Sequence, residues 1–386
     1  MLFPEYTYFD YKFPEPQYLG AKYSHLAWIK KFIPRNIKVA LDSFAGSQSV
    51  AFLFKQMGLK TITNDFLSFN NQIGLALIEN SNEKITQDDL NILFQPSKNK
   101  SEFNLLQSVF TNVFFEETET IFLDNFRASI SLLPTTYKQA LAYSVINRSM
   151  TRKVTMGHFG HTQALKYASD PERIKRNRSL TRPIKDIFDD LLPRYNQAVF
   201  DNNQDNISYN QNILDLLPLL EKVDLAYFDP PYCDSHADYQ SFYHLLETYT
   251  EYWKDKEFIN GTKRYQPKRF SGFDKKRDVI CSFEKLFEQS QEIPHWIISY
   301  NDRSYPSVEE LLKIISKYRV VSIESKAYNN GRGGKGSVAG SHEILFVCNP
   351  KKIHFITQEN LVNEKCLTTG INYTKANNLS NLAPII

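Results

Sequence analysis

Over its first 80 residues the chain alternates between two spacings of apolar side chains. Leu26, Ile29 and Phe32 recur at helical intervals ahead of Pro34, which predicts a short amphipathic helix over Ser24–Phe32. Lys38–Phe44 is a compact apolar run and predicts a buried strand. Gly46 and Ser47 turn it into a helix over Val50–Met57, closed by Gly58. Thr61–Asp65 predicts a second strand, and Phe69–Ile78 resumes helical spacing. Strand and helix alternating through short connections predict a parallel sheet with crossover helices. After Glu79 the rhythm is lost, and residues 80–205 hold polar loops and helical stretches such as Tyr137–Asn147. It returns in four strands, Asp224–Phe228, His295–Tyr300, Arg319–Ser325 and Glu343–Cys348, the last two joined by a glycine-rich loop from Asn329. No internal repeat is present. The pattern predicts one α/β domain, 1–80 and 206–350, interrupted by an insertion at 81–205 and followed by a peripheral Asn-rich extension, 351–386.

Length and composition narrow the class. At about 150 residues per domain, 386 residues make two or three domains. With 42% hydrophobic and 23% charged residues, a wholly disordered, collagenous or disulfide-scaffold chain is excluded. Cys233, Cys281, Cys348 and Cys366 form no C-x-x-C pair, which favours reduced thiols over a zinc ribbon. No run approaches the ~20 apolar residues that cross a bilayer. The N-terminus lacks the basic start and apolar run of a signal peptide. The expectation is a soluble, cytoplasmic chain that does not engage membranes.

The net charge is only +3, but it is unevenly spread. Arg148–Pro183 carries nine Lys/Arg against two Asp/Glu, and Thr262–Asp278 carries seven against two. Aromatic and amide side chains interleave both segments (His158, Phe159, His161, Tyr167 and Asn177; Tyr265, Phe270 and Phe273). That mixture suits phosphates and bases, against the plainer reading of a solvated basic face.

The sharpest chemical feature is Asp229-Pro230-Pro231-Tyr232, directly after an apolar strand. Ligands of open α/β sheets bind at the carboxyl edge of the strands, and two consecutive prolines stiffen this turn. Asp229 and the Pro230 carbonyl are placed to accept two N–H bonds from an exocyclic amine, with Tyr232 stacked on the ring that carries it. The bare tetrapeptide also fits a rigid turn with a core tyrosine. A second feature is Asp42-Ser43-Phe44-Ala45-Gly46, whose glycine lets a ligand approach the backbone. Asp65 follows Gly46 by nineteen residues, near the ~20-residue offset at which an acid meets ribose hydroxyls.

In this order, Tyr18-Leu19-Gly20-Ala21-Lys22-Tyr23, Asp42–Gly46, Asn64-Asp65 and Asp229–Tyr232 resemble the bacterial N6-adenine-specific DNA methyltransferases of alpha-type motif order. The resemblance covers roughly residues 16–80 and 206–350, and Ser299-Tyr300-Asn301-Asp302 is similar to a later strand-end motif of that family. It implies an S-adenosylmethionine-dependent methyltransferase fold, a Rossmann-like sheet with helices on both faces, plus an inserted, mainly helical target-recognition domain. It implies S-adenosylmethionine, with no metal, held by Tyr18, Gly20, Lys22, Asp42, Phe44, Gly46 and Asp65. Asp229, Pro230 and Tyr232 would hold the target adenine. Ser43 stands where the family usually has proline, and Gln48 where it has a second glycine. Asn210-Gln211-Asn212 stands where it often has an acid, which makes Asn212 the candidate contact to the cofactor's adenine.

The implied partner is double-stranded DNA, bound by a monomer, with the base rotated out of the helix and a cognate restriction endonuclease as companion. Candidate DNA contacts are Arg148, Arg152, Lys153, Arg173, Lys175, Arg176 and Arg178 in the first basic segment, Arg264, Lys268 and Arg269 in the second, and Tyr328 as a second aromatic wall. Arg332 and Lys335 in the glycine-rich loop are candidates for phosphate. Competing readings are an RNA adenine or cytosine N4 amine as substrate, a nuclease built on Glu324-Ser325-Lys326, a non-catalytic DNA-binding protein, and a two-domain dehydrogenase.

Overall fold

The computed structural model describes residues 6–96, 102–233, 238–328 and 341–351. The glycine-rich loop with Arg332 and Lys335, the side chain of Tyr328 and the segment beyond 351 lie outside the described residues.

The architecture is mixed α/β around a seven-stranded, mostly parallel sheet. Its strands are β1 (Val39–Asp42), β2 (Lys60–Asn64), β3 (Ile207–Tyr209), β4 (Leu225–Phe228), β7 (His295–Asn301), β8 (Arg319–Tyr328) and β9 (Ser341–Pro350). A separate hairpin pairs β5 (Glu257–Phe258) with β6 (Tyr265–Gln266). The described residues pack as two compact units: those within Met1–Lys31, Arg35–Ile213 and Asp238–Ser271 form one, and those within Phe32–Pro34, Leu214–Ala237 and Gly272–Ile386 the other.

In the first unit β3, β2 and β1 lie side by side and parallel, with Val39 opposite Lys60 and Ile62 opposite Ile207. The expected strands at 38–44 and 61–65 are both present. β3 carries only three half-buried residues, too little apolar pattern to be read from sequence. The expected 24–32 helix is broken into a 3-10 turn at Lys22–His25, one α-turn at Leu26–Ile29 and another 3-10 turn at Lys30–Phe32. A stretch this short adds few propagating hydrogen bonds to offset nucleation. The described residues of 80–205 are mainly helical, with loops between the helices. Thr136–Arg152, Glu117–Ile130 and Ile184–Ala198 share a core that includes Leu123, Phe126, Leu141, Val145, Ile187 and Phe188. The Asp238–Ser271 stretch, grouped by sequence with the later strands, packs in this unit.

In the second unit β4 and β7 are parallel, and β9 runs antiparallel between β7 and β8. All four residues of β4 are buried. Successive strand side chains point to opposite faces, so the sheet is covered on both. The Lys276–Gln289 helix packs through Val279, Phe283, Leu286 and Phe287, and Val308–Ile315 starts with a Ser307–Glu310 capping box.

Candidate active site

In the first unit the predicted cofactor residues gather at the carboxyl ends of β1 and β2. Asp42 closes β1, and its buried Oδ2 accepts the Ala51 N–H at 2.9 Å. That donor lies in the first turn of the Ser49–Gln56 helix and has no partner within it. Phe44 is half-buried in the intervening turn. Gly46 has φ +48°, and a Cβ there would stand 3.0 Å from the Tyr18 ring. Both conformation and space demand glycine. Gln48 also adopts the left-handed backbone, at φ +66°. Its side chain accepts from Thr63 Oγ1 at 2.5 Å and donates to the Asn70 carbonyl at 3.2 Å. A glutamine thus replaces the expected second glycine without changing the backbone conformation a glycine would favour.

Asp65 follows β2 and is buried. It accepts the Gly46 N–H at 2.7 Å, the Leu67 N–H at 2.8 Å and Asn70 Nδ2 at 3.1 Å. Burial raises its pKa, and these three bonds with Arg269 oppose the rise. Asn70 Nδ2 also reaches Tyr18 Oη at 3.2 Å, so one amide ties Tyr18 to Asp65. Tyr18 stacks on Tyr243 (4.7 Å between centroids, 11° between planes) and on Tyr239 (5.6 Å, 17°). Burial, then the charge of Asp65, pushes its phenol well above the ordinary tyrosine range. Tyr243 Oη accepts the Leu19 N–H at 2.8 Å, and buried Lys22 donates to the Gly20 carbonyl at 3.1 Å. These contacts fix the segment that carries Tyr18, Gly20 and Lys22. Asn64 holds both the N–H and the carbonyl of Gln211 at 3.1 Å, which sets the chain beyond β3 just before Asn212. Asn70, Tyr239 and Tyr243 were not singled out from sequence, because only folding brings them to Tyr18.

In the second unit β4 runs directly into Asp229-Pro230-Pro231-Tyr232. Pro230 is buried, whereas Asp229 and Tyr232 are half-buried. Tyr232 Oη lies 3.0 Å from Asp229 Oδ1 and 2.9 Å from Glu343 Oε1. Ser299 Oγ donates to the same Glu343 oxygen at 2.6 Å. The Tyr232 ring meets Tyr300 edge-on, at 5.6 Å and 75°, and Tyr300 is itself fixed by donating to the Pro306 carbonyl at 2.7 Å. Burial first, then Asp229, Glu343 and Tyr227, raise the Tyr232 pKa well above its ordinary value, and the phenol stays protonated. Ser299 and Tyr300 belong to the strand-end motif legible in the sequence; Glu343, at the start of the apolar run Glu343–Cys348, carries no such local signal.

The basic candidates divide by environment. Arg148 donates to Gln17 Oε1 at 2.6 Å and to the Glu15 carbonyl at 3.2 Å, and Lys153 pairs with Glu119 at 2.7 Å. Arg264 donates to the Gly160 carbonyl, Lys268 pairs with Asp238, and Arg269 pairs with Glu247 and donates to the Phe66 carbonyl. Each of these side chains has a partner within the protein. Arg173 lies 3.7 Å over the Tyr167 ring and 3.4 Å from Asp170. Arg152 is half-buried, whereas Lys175, Arg176 and Arg178 are exposed.

A mostly parallel sheet with a glycine turn after β1, an acid after β2 and Asp-Pro-Pro-Tyr after β4 defines the S-adenosylmethionine-dependent methyltransferase class. The D12 class N6 adenine-specific DNA methyltransferase family matches residues 18–314, and the chain belongs to that family. It is 32% identical over 343 residues to the Type II methyltransferase M2.HphI of Haemophilus parahaemolyticus, covering 87% of this chain and 98% of that one. It is 26% identical over 323 residues to the modification methylase StsI of Streptococcus sanguinis, covering 80% of this chain and 47% of that one. The activity is methyl transfer to the N6 amine of adenine in DNA, the family implies S-adenosylmethionine as methyl source, and the relatives are consistent with restriction–modification. Among the described residues no helix is long and apolar enough to cross a membrane.

Proposed function

We propose that Asp229 and the Pro230 carbonyl receive the two amine hydrogens of a target adenine, with Tyr232 stacked on its ring. Adenine's exocyclic nitrogen is a weak nucleophile, because its lone pair is delocalised into the ring. Two fixed acceptors favour a more tetrahedral nitrogen and stabilise the positive charge that develops there. The nitrogen sheds its extra proton after the methyl is gained. The observation that carries this reading is the rigid Asp229–Tyr232 turn after β4, with the carboxylate and the phenol 3.0 Å apart.

S-adenosylmethionine, when bound, supplies an electrophilic methyl on a sulfonium that departs as a neutral thioether. Tyr18, Gly20, Lys22, Asp42, Phe44, Gly46, Asp65 and Asn212 would hold it. The crowded glycine at 46 supports this, since any side chain there would meet the Tyr18 ring. Asp65 already takes three donors from the protein, of about four acceptor positions on a carboxylate. A ribose hydroxyl therefore takes the remaining position or displaces one of the three.

The substrate on this reading is duplex DNA with the adenine flipped out, and the exposed Lys175, Arg176 and Arg178 supply phosphate contacts. The modification-methylase relatives support a cognate restriction endonuclease as companion. The test is Asp229→Ala assayed with labelled S-adenosylmethionine and unmethylated genomic DNA. Methyl transfer should vanish while unfolding midpoint and DNA affinity stay close to wild type; an active Asp229→Ala enzyme refutes the assignment.

A further inference from the structure

The turn that follows Asp65 is gripped from a distant part of the chain. The Ser68–Gly74 helix has a leucine, Leu67, at the position where a polar side chain would cap it, and that residue makes no capping bond. Glu247 does so instead: its fully buried carboxylate accepts the Ser68 N–H at 3.0 Å and the Phe69 N–H at 3.1 Å. Arg269 donates to Glu247 and, at 2.7 Å, to the Phe66 carbonyl, with its guanidinium 4.6 Å over the Phe66 ring. Arg269 is itself tethered by Gln240, which accepts its N–H at 3.0 Å and donates to its carbonyl at 2.8 Å. The groups between these contacts point the other way. The Leu67 N–H and Asn70 Nδ2 both donate to Asp65 Oδ1, which sets the rotation of that carboxylate.

A buried ion pair is a weak source of stability, because desolvation offsets much of the attraction, but it can hold one conformation against others. We propose that Glu247 and Arg269 are positioning residues for the cofactor: by holding the peptides on either side of Leu67 they aim the Leu67 N–H and the Asn70 amide at Asp65, and so set its carboxylate for the ribose hydroxyls. This rests on the reading of Asp65 given above. The Asn70 amide also reaches Tyr18 Oη, so a displaced helix start disturbs two cofactor residues together. The same Asp238–Ser271 stretch brings Tyr239 and Tyr243 onto the Tyr18 ring. One segment, far from the cofactor motifs in sequence, thus sets the geometry of both.

Calorimetric binding of S-adenosylhomocysteine, the thioether product, tests this without turnover. Glu247→Gln keeps the shape of the side chain but replaces one acceptor oxygen with an amide nitrogen, so one of the two helix N–H groups loses its partner. Affinity should fall about tenfold, with DNA affinity unchanged. In turnover the KM for S-adenosylmethionine should rise by a similar factor while kcat at saturation stays near wild type. Wild-type affinity overturns the proposal, and so does a fall in kcat at unchanged KM, which reports a smaller folded fraction. Asp65→Ala completes a double-mutant cycle: with the acid gone, Glu247→Gln should change affinity by less than about twofold. An undiminished loss in that background shows that Glu247 does not act through Asp65. Arg269→Lys keeps the charge but loses the planar group that stacks on Phe66 and bridges two acceptors. It should weaken S-adenosylhomocysteine in the same direction, and it carries the test if Glu247→Gln does not fold; wild-type affinity there takes Arg269 out of the role. Asp65→Ala binding S-adenosylhomocysteine as wild type does would instead defeat the underlying reading, so the two failures are distinguishable.

Discussion

Lys55 illustrates how far a single residue can depart from its usual setting. It is fully buried in the Ser49–Gln56 helix, and its ammonium donates to the carbonyls of Leu77 and Asn80, at 3.0 and 2.8 Å, and lies 4.7 Å over the Phe200 ring. Those carbonyls belong to the π-turn Leu75–Glu79 and its cap, where a cation is favoured by the exposed carbonyl dipoles. Burial nevertheless lowers its pKa to about 7. The unfolded chain, with an ordinary lysine, therefore binds more protons between pH 7 and about 10.5, and stability must rise with pH across that window. Lys55→Met removes this slope. Urea unfolding of both proteins at pH 7.5 and 9.5 should show the wild type gaining about 2 kcal/mol on the variant; a constant difference means that Lys55 titrates normally. Residues of this kind are hidden in sequence, since a lysine in an apolar helix reads as a solvated one. By contrast Asp229–Tyr232 and Gly46 are legible, because their chemistry is carried by neighbours in the chain. Asn70 and Glu343 act on partners 52 and 111 positions away and leave no local signature.

At the scale of elements, strands were legible wherever apolar residues ran together, and β3 was lost because a short edge strand needs no apolar run. What sequence did not reveal is how one element's side chain secures another. The Ser68–Gly74 helix begins with the N–H groups of Ser68 and Phe69, and both are taken by Glu247 from the His244–Glu251 helix, at 3.0 and 3.1 Å. Arg269, a candidate phosphate contact by sequence, pairs with that buried carboxylate and lies 4.6 Å over the Phe66 ring. Burial raises the Glu247 pKa to about 7, with Arg269 opposing the rise. Arg269→Ala strands the carboxylate, and about 3 kcal/mol of stability should be lost above pH 8. Since the folded pKa then lies further above the unfolded value near 4.3, Glu247 can take a proton at lower pH, and the deficit should shrink as pH falls toward 5. Equal losses at both pH values, read from urea midpoints at constant m, would show that Arg269 does not carry this pairing.

For the whole molecule the informative quantity is how charge is spent, because the net value of +3 hides two concentrated segments. Sequence marks the segments but not the partners within them, which depend on what folding brings alongside. The Thr262–Asp278 segment spends Arg264, Lys268 and Arg269 on Gly160, Asp238 and Glu247. The Arg148–Pro183 segment spends Arg148 and Lys153 the same way but leaves Lys175, Arg176 and Arg178 exposed, two of them in the last turn of the Pro171–Arg176 helix that Asp170 caps. Phosphate contacts release counterions, so each contributes about 0.9 to the slope of log affinity against log salt. Replacing Lys175, Arg176 and Arg178 together by alanine should therefore flatten that slope by about 3 and weaken binding to target and non-target duplexes alike. The unfolding midpoint should stay put, since exposed charges of this kind contribute little to stability. Fluorescence-anisotropy titrations of duplex DNA over a salt series measure it directly. An unchanged slope would take these three residues off the DNA and return them to the role of a solvated basic face.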